Sequence, residues 1–465
     1  MGKKSTSVFG DTRIDKAQSD LLAGMSEKFS VILHQVGENK NEETRFGNFI
    51  NNEKVLPNRI LEHHWNEIDA DWSSKHLLVV SDTSTLSFPK RADRKDLGWI
   101  ADNTNKEGFH IHPSIFLNAS DSSLQGVGGI DFIKDEFATT IAEKEARQLR
   151  QKDRQKYPFE EKERYKWLTS PTQAINNAPC AARYTLMGDR ETDIFELIQL
   201  TLNNGWDFLY RSKSNRLLSD VCQDHKLHDA LDRWEVEHTY HIDLRATKKR
   251  TAHRAKVQVK FGSVEIAKPQ SVNRDDMPAM IPLQVVEVKE DAQTVVGKEK
   301  PVHWILLTSH PVFSVEQAMQ IIQWYQWRWT IEELFRTLKT KGLNIESSEV
   351  ETYHGLKNLT TLALFTAVQT MQLVKARDGN TNQKIQDVFS PKEQDCLILL
   401  NEKLEGNTVK SSNPFPIESL AFASWVIGRL GGWNGYKKSR PPGPITMTRG
   451  LVRFYYTLQG FKLLL

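Results

Sequence analysis

Three acidic residues stand at positions where a protein fold can place metal ligands. Asp82 ends the apolar segment HLLVVS, Asp189 ends the segment RYTLMG, and Glu332 lies inside a long helical pattern. Mg²⁺ and Mn²⁺ prefer carboxylate oxygens, and two such ions about 3.5–4 Å apart can hold the attacking and leaving oxygens of a phosphoryl transfer. Taken singly, an Asp at a strand end is more often a turn residue, and a helical Glu is usually solvated. The combination favours metal-dependent chemistry on a phosphodiester.

The segment from Ser314 to Lys341 predicts one long helix around the glutamate. At about 100° per residue, four polar side chains share a stripe about 60° wide beside its apolar face: Tyr325, Arg328, Glu332 and Lys339. A surface ladder of ion pairs is the simpler interpretation. One carboxylate among two cations and a phenol also suits a DNA backbone that passes over a metal site.

Two adjacent acids, Glu332 and Glu333, are separated by about 100° around such a helix. Glu332 falls in the polar stripe, at the border of the apolar face that packs on the strands. Glu333 points away from that face, so we expect it to be solvated. The sequence therefore predicts Glu332, and not its neighbour, as the ligand that joins Asp82 and Asp189.

The elements that must position these residues predict an α/β fold. Alternating or apolar segments predict strands at 76–81, 108–119, 183–188, 207–213, 255–267, 280–289 and 301–309. A helix should follow Asp189 and end at Asn203-Asn204-Gly205, and residues 1–55 and 357–465 are predicted to be helical. A mixed-charge run at 143–166 has no assigned role.

Charge is unevenly distributed along a chain whose net charge is only +3. Segment 245–256, RATKKRTAHRAK, contains six basic residues and no acid, and no Asp or Glu follows Glu418. Two basic patches fit a polyanion held at specific faces, whereas the alternative is a solvated loop and a solvated tail.

Cysteine and histidine usage gives little support to other kinds of site. The three cysteines lie far apart without a CxxC pair, which fits a reducing compartment. No apolar stretch is long enough to span a bilayer, and the N-terminus lacks the apolar core of a secretory signal, so we expect a cytoplasmic protein without a membrane partner. His110 and His112 share one strand face and could ligate zinc, but no third ligand is suitably spaced, which favours a structural role.

The spacing Tyr-x2-Arg-x3-Glu-x6-Lys resembles the signature of bacterial DDE transposases of insertion-sequence family four, the family that includes transposon five. DTSTLSF (82–88) resembles the first-Asp motif of that family, and DRETD (189–193) resembles the second. SVFGDTR (7–13) and RFGNFINNEKV (45–55) are similar to its DNA-binding head, and GRLGGW (428–433) to a C-terminal block. The likeness extends in patches over nearly the whole chain.

The resemblance implies an α/β fold with a ribonuclease-H-like catalytic core at 56–376. A β-rich insertion at about 214–303 would interrupt this core before the Glu-bearing helix. A helical N-terminal DNA-binding domain (1–55) and a helical C-terminal dimerisation domain (377–465) would flank it.

The resemblance also implies roles for the residues singled out above. Asp82, Asp189 and Glu332 would be the catalytic metal ligands for two Mg²⁺ ions, for which Mn²⁺ can substitute. Six residues would contact DNA: Tyr325, Arg328, Lys339, Arg211, Trp304 and Trp329. Of these, Trp304 would stack on an extruded base, although a lone Trp at a strand start is more often a core residue.

The function implied is cut-and-paste transposition, with cleavage through hairpin ends and insertion into target DNA. The protein would act as a homodimer on transposon-end DNA, in the cytoplasm and on the nucleoid when bound to DNA. The first alternative is a catalytically silent DNA-binding or inhibitory relative, against which the intact acidic triad argues. The second is a stand-alone nuclease, against which the long C-terminal region argues.

Overall fold

The computed structural model describes residues 7–68, 71–89, 94, 96–100, 107–134, 157–178, 180–247, 250–272, 274–297, 299–406, 412–436 and 439–462. The helices in these ranges are α1 (Thr12–Lys28), α2 (Leu33–Val36), α3 (Lys40–Asn51), α4 (Pro57–Asn66), α5 (Lys166–Asn177), α6 (Phe195–Asn203), α7 (Leu227–Arg233), α8 (Val315–Trp327), α9 (Thr330–Leu338), α10 (Tyr353–Ala376), α11 (Pro391–Leu404), α12 (Leu420–Leu430) and α13 (Pro444–Lys462). The strands are β1 (His76–Ser81), β2 (Ser84–Phe88), β3 (Gly98–Trp99), β4 (Glu107–Asn118), β5 (Leu124–Ile133), β6 (Arg183–Gly188), β7 (Asp207–Arg211), β8 (His238–Leu244), β9 (His253–Ala267), β10 (Met280–Glu290) and β11 (His303–Thr308). None of the helices in the described ranges combines the length and apolarity needed to cross a membrane.

One large mixed sheet organises the molecule. Its strand order is β2-β4-β1-β6-β7-β11-β10-β9-β8, with β3 and β5 also paired to β4. β1, β6 and β7 are parallel neighbours, and the other named strand pairs of the described residues are antiparallel. Parallel strands are buried on both faces and therefore have continuous apolar sequences, as HLLVVS and RYTLMG do. This mixed α/β sheet is consistent with the expected ribonuclease-H-like core.

All seven predicted strands are present. The segments predicted at 76–81, 108–119, 183–188 and 207–213 form β1, β4, β6 and β7. The three later segments form β9, β10 and β11, and β11 pairs antiparallel with β7. The strands of the expected insertion therefore extend the central sheet beyond β7. The limits of the insertion and of the two flanking domains stay predictions.

The prediction of one long helix from Ser314 to Lys341 is wrong, because two helices, α8 and α9, occupy this segment. At the junction, the amides of Arg328 and Trp329 donate to the carbonyls of Tyr325 and Gln326, three residues back, at 3.2 and 3.3 Å. Such bonds tighten the turn as in a 3₁₀-helix and interrupt the α-helical ladder. The aromatic and β-branched residues around the junction have a modest helix propensity, which lowers the cost of the interruption.

Helix α10 lies at the centre of the helical part of the structure. It contacts α1, α3, α4, α9, α12, α13 and β5, and its residues are buried around most of its circumference. A helix enclosed on all sides must be apolar all round, as its sequence LTTLALFTAVQTMQLV nearly is. The buried amide of Asn358 donates to the carbonyls of Ile50 and Val55, both at 2.9 Å, and so links α10 to the end of α3.

The predicted helical character of the two ends of the chain is confirmed. Helices α1 to α3 occupy the N-terminal segment, and helices α10 to α13 occupy the C-terminal one. Both contribute to a single apolar cluster that extends from Phe9 to Leu458. Of the charged run at 143–166, only residues 157–166 lie within the described ranges, and residues 248 and 249 of the basic segment lie outside them.

Candidate active site

The carboxyl ends of β1 and β6 bring two of the predicted ligands to one edge of the sheet. The strands are parallel, and Val80 is paired with Met187. Asp82 and Asp189 each follow these partners by two residues, so they lie at the same level just beyond the sheet. The side chain of Asp189 accepts a hydrogen bond from the Glu191 amide at 2.8 Å, which caps a short 3₁₀ turn.

Arg328, at the junction of α8 and α9, binds two of the predicted ligands at once. Its Nη1 donates to Asp82 Oδ2 at 2.9 Å, and its Nη2 donates to Glu332 Oε1 at 2.6 Å. The Arg328 side chain is only 11% exposed, so both bonds form in a largely desolvated setting. Charge-assisted bonds of this kind are shorter and stronger than neutral ones. The geometry therefore places Glu332 beside Asp82.

The three carboxylates also interact electrostatically. The pKa of Asp82 is raised to about 6, chiefly by burial and also by the nearby Asp189 and Glu332 carboxylates, while Arg328 and the Thr83 amide oppose the rise. Burial disfavours the charged form of Arg328, but Tyr325, Asp82 and Glu332 outweigh this effect and raise its pKa. A bound cation would relieve the repulsion that the other two carboxylates exert on Asp82.

A hard divalent cation fits the chemistry of this group. The donors are carboxylate oxygens, without the thiol or imidazole groups that softer metals select. Across the described ranges, no three His, Cys, Asp or Glu side chains are already arranged to hold a metal ion. Here the Arg328 guanidinium occupies Asp82 Oδ2 and Glu332 Oε1, so a cation that binds both carboxylates must use their other oxygens or displace Arg328.

Glu333 differs from its prediction as a solvated residue. It is only partly exposed. Its carboxylate acts on Lys375 of α10: the pKa of Lys375 is lowered to about 8, mainly by burial, and the charge of Glu333 opposes this lowering. The packing of α9 against α10 brings Glu333 near Lys375. The structure thus separates the two neighbouring glutamates, with Glu332 alone in contact with Arg328.

Four of the predicted DNA-contacting residues form a continuous group beside the acids. The rings of Trp304 and Tyr325 meet edge to face with centroids 5.5 Å apart. Arg211 interacts with the Tyr325 hydroxyl and donates to the His303 carbonyl at 2.8 Å. Tyr325 also lies beneath the Arg328 guanidinium, 5.8 Å from its ring centroid. Burial raises the pKa of Tyr325, and the two arginines partly oppose this rise.

The other two predicted DNA-contacting residues have different surroundings. Trp329 is 47% exposed, with the Arg336 guanidinium 5.5 Å from its ring centroid. Lys339 follows the last residue of α9 and donates to the Thr85 carbonyl in β2. Burial lowers the pKa of Lys339, and Glu346 opposes this effect. Lys339 therefore links α9 to the strand that follows Asp82.

Asp193, the last residue of the DRETD segment, has a structural role. Its carboxylate is fully buried and binds Arg216 at 2.5 Å. It also accepts hydrogen bonds from the amides of Lys213 and Ser214 at 2.9 and 3.0 Å. These partners occupy its oxygens and fix the loop after β7, so Asp193 is not a ligand of the site.

Sequence reasoning gave His112 a structural role but missed the set of polar residues through which it reaches Asp82. Ser81 and Thr83 flank this aspartate, and both bond to side chains of β4: Ser81 to Ser114 at 2.7 Å and Thr83 to His112 at 2.9 Å. The signal in the sequence was the polar alternation HIHPS within an otherwise apolar strand. Its meaning depends on the pairing of β1 and β2 with β4, which no local pattern specifies.

Comparison with known protein families adds one finding. A family model described as "Transposase DDE domain" matches residues 184–368. The match contains Asp189, Glu332 and all six predicted DNA-contacting residues, and it begins after Asp82. It supports a DDE transposase, a class of enzymes that act on DNA and generally use divalent metal ions.

Proposed function

We propose that this chain is a cut-and-paste DNA transposase of insertion-sequence family four, which binds the ends of a transposon, cleaves them and inserts the element into target DNA. The observation that carries this proposal is the bridge that Arg328 makes between Asp82 and Glu332. Asp189 lies at the end of the adjoining parallel strand, within electrostatic range of Asp82. Acids from two strands and one helix thus converge on one sheet edge.

The three carboxylates would hold two Mg²⁺ ions, for which Mn²⁺ can substitute. Bound divalent ions supply Lewis-acid stabilisation of the attacking and leaving oxygens of a phosphoryl transfer. Asp82, Asp189 and Glu332 would hold these ions at the sheet edge, and the ions would in turn bind the reacting phosphate. Arg328, released from the carboxylates, is well placed to neutralise a phosphate oxygen next to it.

The reaction consists of successive displacements at phosphorus. A water oxygen bonds to phosphorus while the bond to the 3′ oxygen breaks, which leaves a free 3′-OH. The oxygen of that hydroxyl bonds to a phosphorus of the opposite strand while the bond from this phosphorus to the 3′ oxygen of the flanking DNA breaks, which closes a hairpin on the transposon end. Water then attacks the hairpin phosphorus and displaces the same 3′ oxygen, which restores the 3′-OH. Finally, this 3′-OH attacks a phosphorus of the target DNA and displaces the 3′ oxygen of the target strand.

The group beside the acids suits a distorted DNA end. Arg211 and Arg328 would contact phosphates on either side of Tyr325, and Trp304 would stack on a base extruded from the helix. Lys339 and Trp329 would complete the contacts from α9 and its N-terminal junction. The active unit would be a homodimer on DNA, in the cytoplasm and on the nucleoid.

The test is Mg²⁺-dependent cleavage of transposon-end DNA by single-residue variants. Asp82→Ala, Asp189→Ala and Glu332→Ala should each abolish cleavage and leave DNA affinity within a few-fold, because metal ligands serve the transition state more than docking. The matched control is Glu191→Ala, since this exposed acid of the DRETD segment contributes only its backbone amide. Near wild-type cleavage by any of the three variants would refute the role of that residue.

The same assay separates the alternatives. A catalytically silent relative would bind end DNA without cleaving it at any metal concentration. A stand-alone nuclease would cleave it but would not join precleaved ends to a target plasmid. Joining by the wild-type chain is the outcome that the proposal requires.

A further inference from the structure

A buried polar layer lies directly under Asp82, between the sheet and α5. Ser81, which precedes this aspartate, bonds to Ser114 at 2.7 Å, and Ser114 bonds to Ser170 of α5 at 2.8 Å. All three serines are buried, at 1% exposure or less. Polar side chains in a core are retained at a cost unless they are bonded, and a bonded set specifies one geometry. The layer therefore fixes the backbone just before Asp82.

His112 extends this layer to the residue after Asp82. Its Nδ1 lies 2.9 Å from the Thr83 hydroxyl, and its ring is fully buried. The Thr83 amide in turn donates to Asp82 Oδ1 at 2.8 Å. The Nε2 atom of His112 has no hydrogen-bond partner among the described residues. A leucine or phenylalanine at this position would leave no buried nitrogen without a hydrogen-bond partner. The hydrogen bond to Thr83 is therefore the feature that only the histidine provides here.

The same support reaches the second aspartate. The His112 ring meets Trp167 of α5 edge to face, with centroids 4.5 Å apart. A Cβ atom placed on Gly188 would lie 3.0 Å from Cζ3 of Trp167, so this ring packs directly against the residue before Asp189. Helix α5 thus contacts the backbone next to both aspartates.

We propose that His112 is a positioning residue for the reaction: through Thr83 it holds the Asp82 carboxylate in the orientation that metal binding needs. The cleavage measurement of this inference rests on the proposed function. The measurement of metal binding does not depend on it. His112 touches neither DNA nor the reacting phosphate. It acts through one hydrogen bond, and misplacing a reacting group by about 1 Å can cost roughly 100-fold in rate.

The neighbouring strand pair provides a matched control. His110 bonds to Thr85 through its own Nδ1, also at 2.9 Å. His110 lies two residues from His112 along β4, and Thr85 of β2 lies two residues after Thr83, but Thr85 is not adjacent to an acidic ligand. A general loss of strand pairing would affect both pairs, whereas loss of positioning would affect only the pair next to Asp82.

The experiment compares His112→Phe, His112→Asn and His110→Phe in the full-length chain. Phenylalanine keeps the ring against Trp167 without a hydrogen bond, while asparagine keeps a polar atom near the position of Nδ1. We expect His112→Phe to slow single-turnover nicking of end DNA by about 10- to 100-fold and to raise the Mn²⁺ concentration at half-maximal rate. DNA affinity should stay within a few-fold. His112→Asn should recover most of the rate, and His110→Phe should stay within about threefold of wild type.

Two further measurements exclude a simple folding defect. Thr83→Val combined with His112→Phe should be no slower than the slower single variant, because both changes break the same bond. A Mn²⁺ titration followed by the thermal shift of the protein should show weaker binding in His112→Phe, whether or not the chain cleaves DNA.

The outcomes distinguish this inference from the proposed function. If the wild-type protein binds Mn²⁺ and His112→Phe binds it more weakly, but neither protein cleaves DNA, the transposase function would be refuted and the positioning role retained. Three results would overturn the positioning role. The nicking rate could fall equally in His112→Phe and His112→Asn, it could fall as much in His110→Phe as in His112→Phe, or the Mn²⁺ dependence could be unchanged in all variants. An absence of Mn²⁺ binding in the wild type would overturn both.

Discussion

Arg328 shares its guanidinium between Asp82 and Glu332, and this contact decides which of two adjacent glutamates belongs to the site. Glu332 lies on the side of α9 that faces the strand ends, held at 2.6 Å from Arg328. Glu333 lies toward α10, near Lys375. At the scale of residues, one position along a helix therefore separates a candidate metal ligand from an acid whose charge acts on Lys375 of α10.

Matched glutamine substitutions test this separation. Glu332→Gln keeps the size of the side chain but removes its charge, so it should abolish nicking of end DNA. Glu333→Gln should change the rate by less than about tenfold, which corresponds to about 1.4 kcal/mol. Both variants are measured in one nicking assay with Mg²⁺. The reverse pattern would mean that the observed direction of α9 does not apply to the active complex.

Trp304 provides a second test at this scale. Stacking on a base is worth about 1–3 kcal/mol, so Trp304→Ala should slow hairpin formation more than first-strand nicking. A substrate that lacks the stacked base should partly restore the hairpin step in this variant. Equal slowing of both steps would indicate instead that Trp304 serves mainly to pack against Tyr325.

At the scale of elements, the end of β6 is held so tightly that no side chain fits at Gly188. An added Cβ would collide with Thr192 and would press on the Trp167 ring of α5. The strand end and helix α5 thus meet at the residue before Asp189. Packing at this contact, and not only pairing within the sheet, determines where that carboxylate lies.

Gly188→Ala should therefore damage stability and cleavage together. Overpacking of this kind lowers the free energy of unfolding by about 1–3 kcal/mol, and the displaced Asp189 should reduce nicking at least tenfold. Urea denaturation and the nicking assay measure the two effects. Gly460→Ala is the control for stability, because that exposed helical glycine has open space around it and should tolerate alanine. Unchanged stability in Gly188→Ala would contradict the packing described.

The elements also show what the sequence could and could not predict. The positions of Asp82 and Asp189 at strand ends were predictable, because apolar segments mark the strands that they follow. The break at Arg328 was not, since its hydrogen bonds three residues back leave no clear pattern in the residue types. The bond between Thr83 and His112 joins residues 29 positions apart, so it depends on strand register and not on local sequence.

At the scale of the whole molecule, buried histidines link folding to pH. Burial lowers the pKa of His64, His76 and His310 to about 4 each, from an ordinary value of 6.5. His64 stacks on Phe365 with centroids 3.9 Å apart and so joins α4 to α10. The unfolded chain binds protons at a higher pH than the folded one, which makes acid destabilising.

The free energy of unfolding should accordingly be largest above pH 6.5 and fall as the pH drops toward 4. Each of these imidazoles contributes a loss of at most roughly 2–3 kcal/mol across this window. Urea denaturation at a series of pH values measures the slope. His64→Phe should reduce that slope, because phenylalanine can stack on Phe365 and does not titrate. An unchanged slope would show that the His64 ring is accessible to water and becomes protonated in the folded chain.

The position of α10 at the centre of the helices limits how freely this protein can be recombined with its relatives. Helices from both ends of the chain rest on it, and Asn358 bonds to the backbone at the end of α3 and just beyond it. A chimera that exchanged residues 1–55 alone would place a foreign surface against an unchanged α10. Exchanging the N-terminal helices therefore requires exchanging their inward-facing residues together with the residues of α10 that they contact, so that these helices and the core are inherited as one unit.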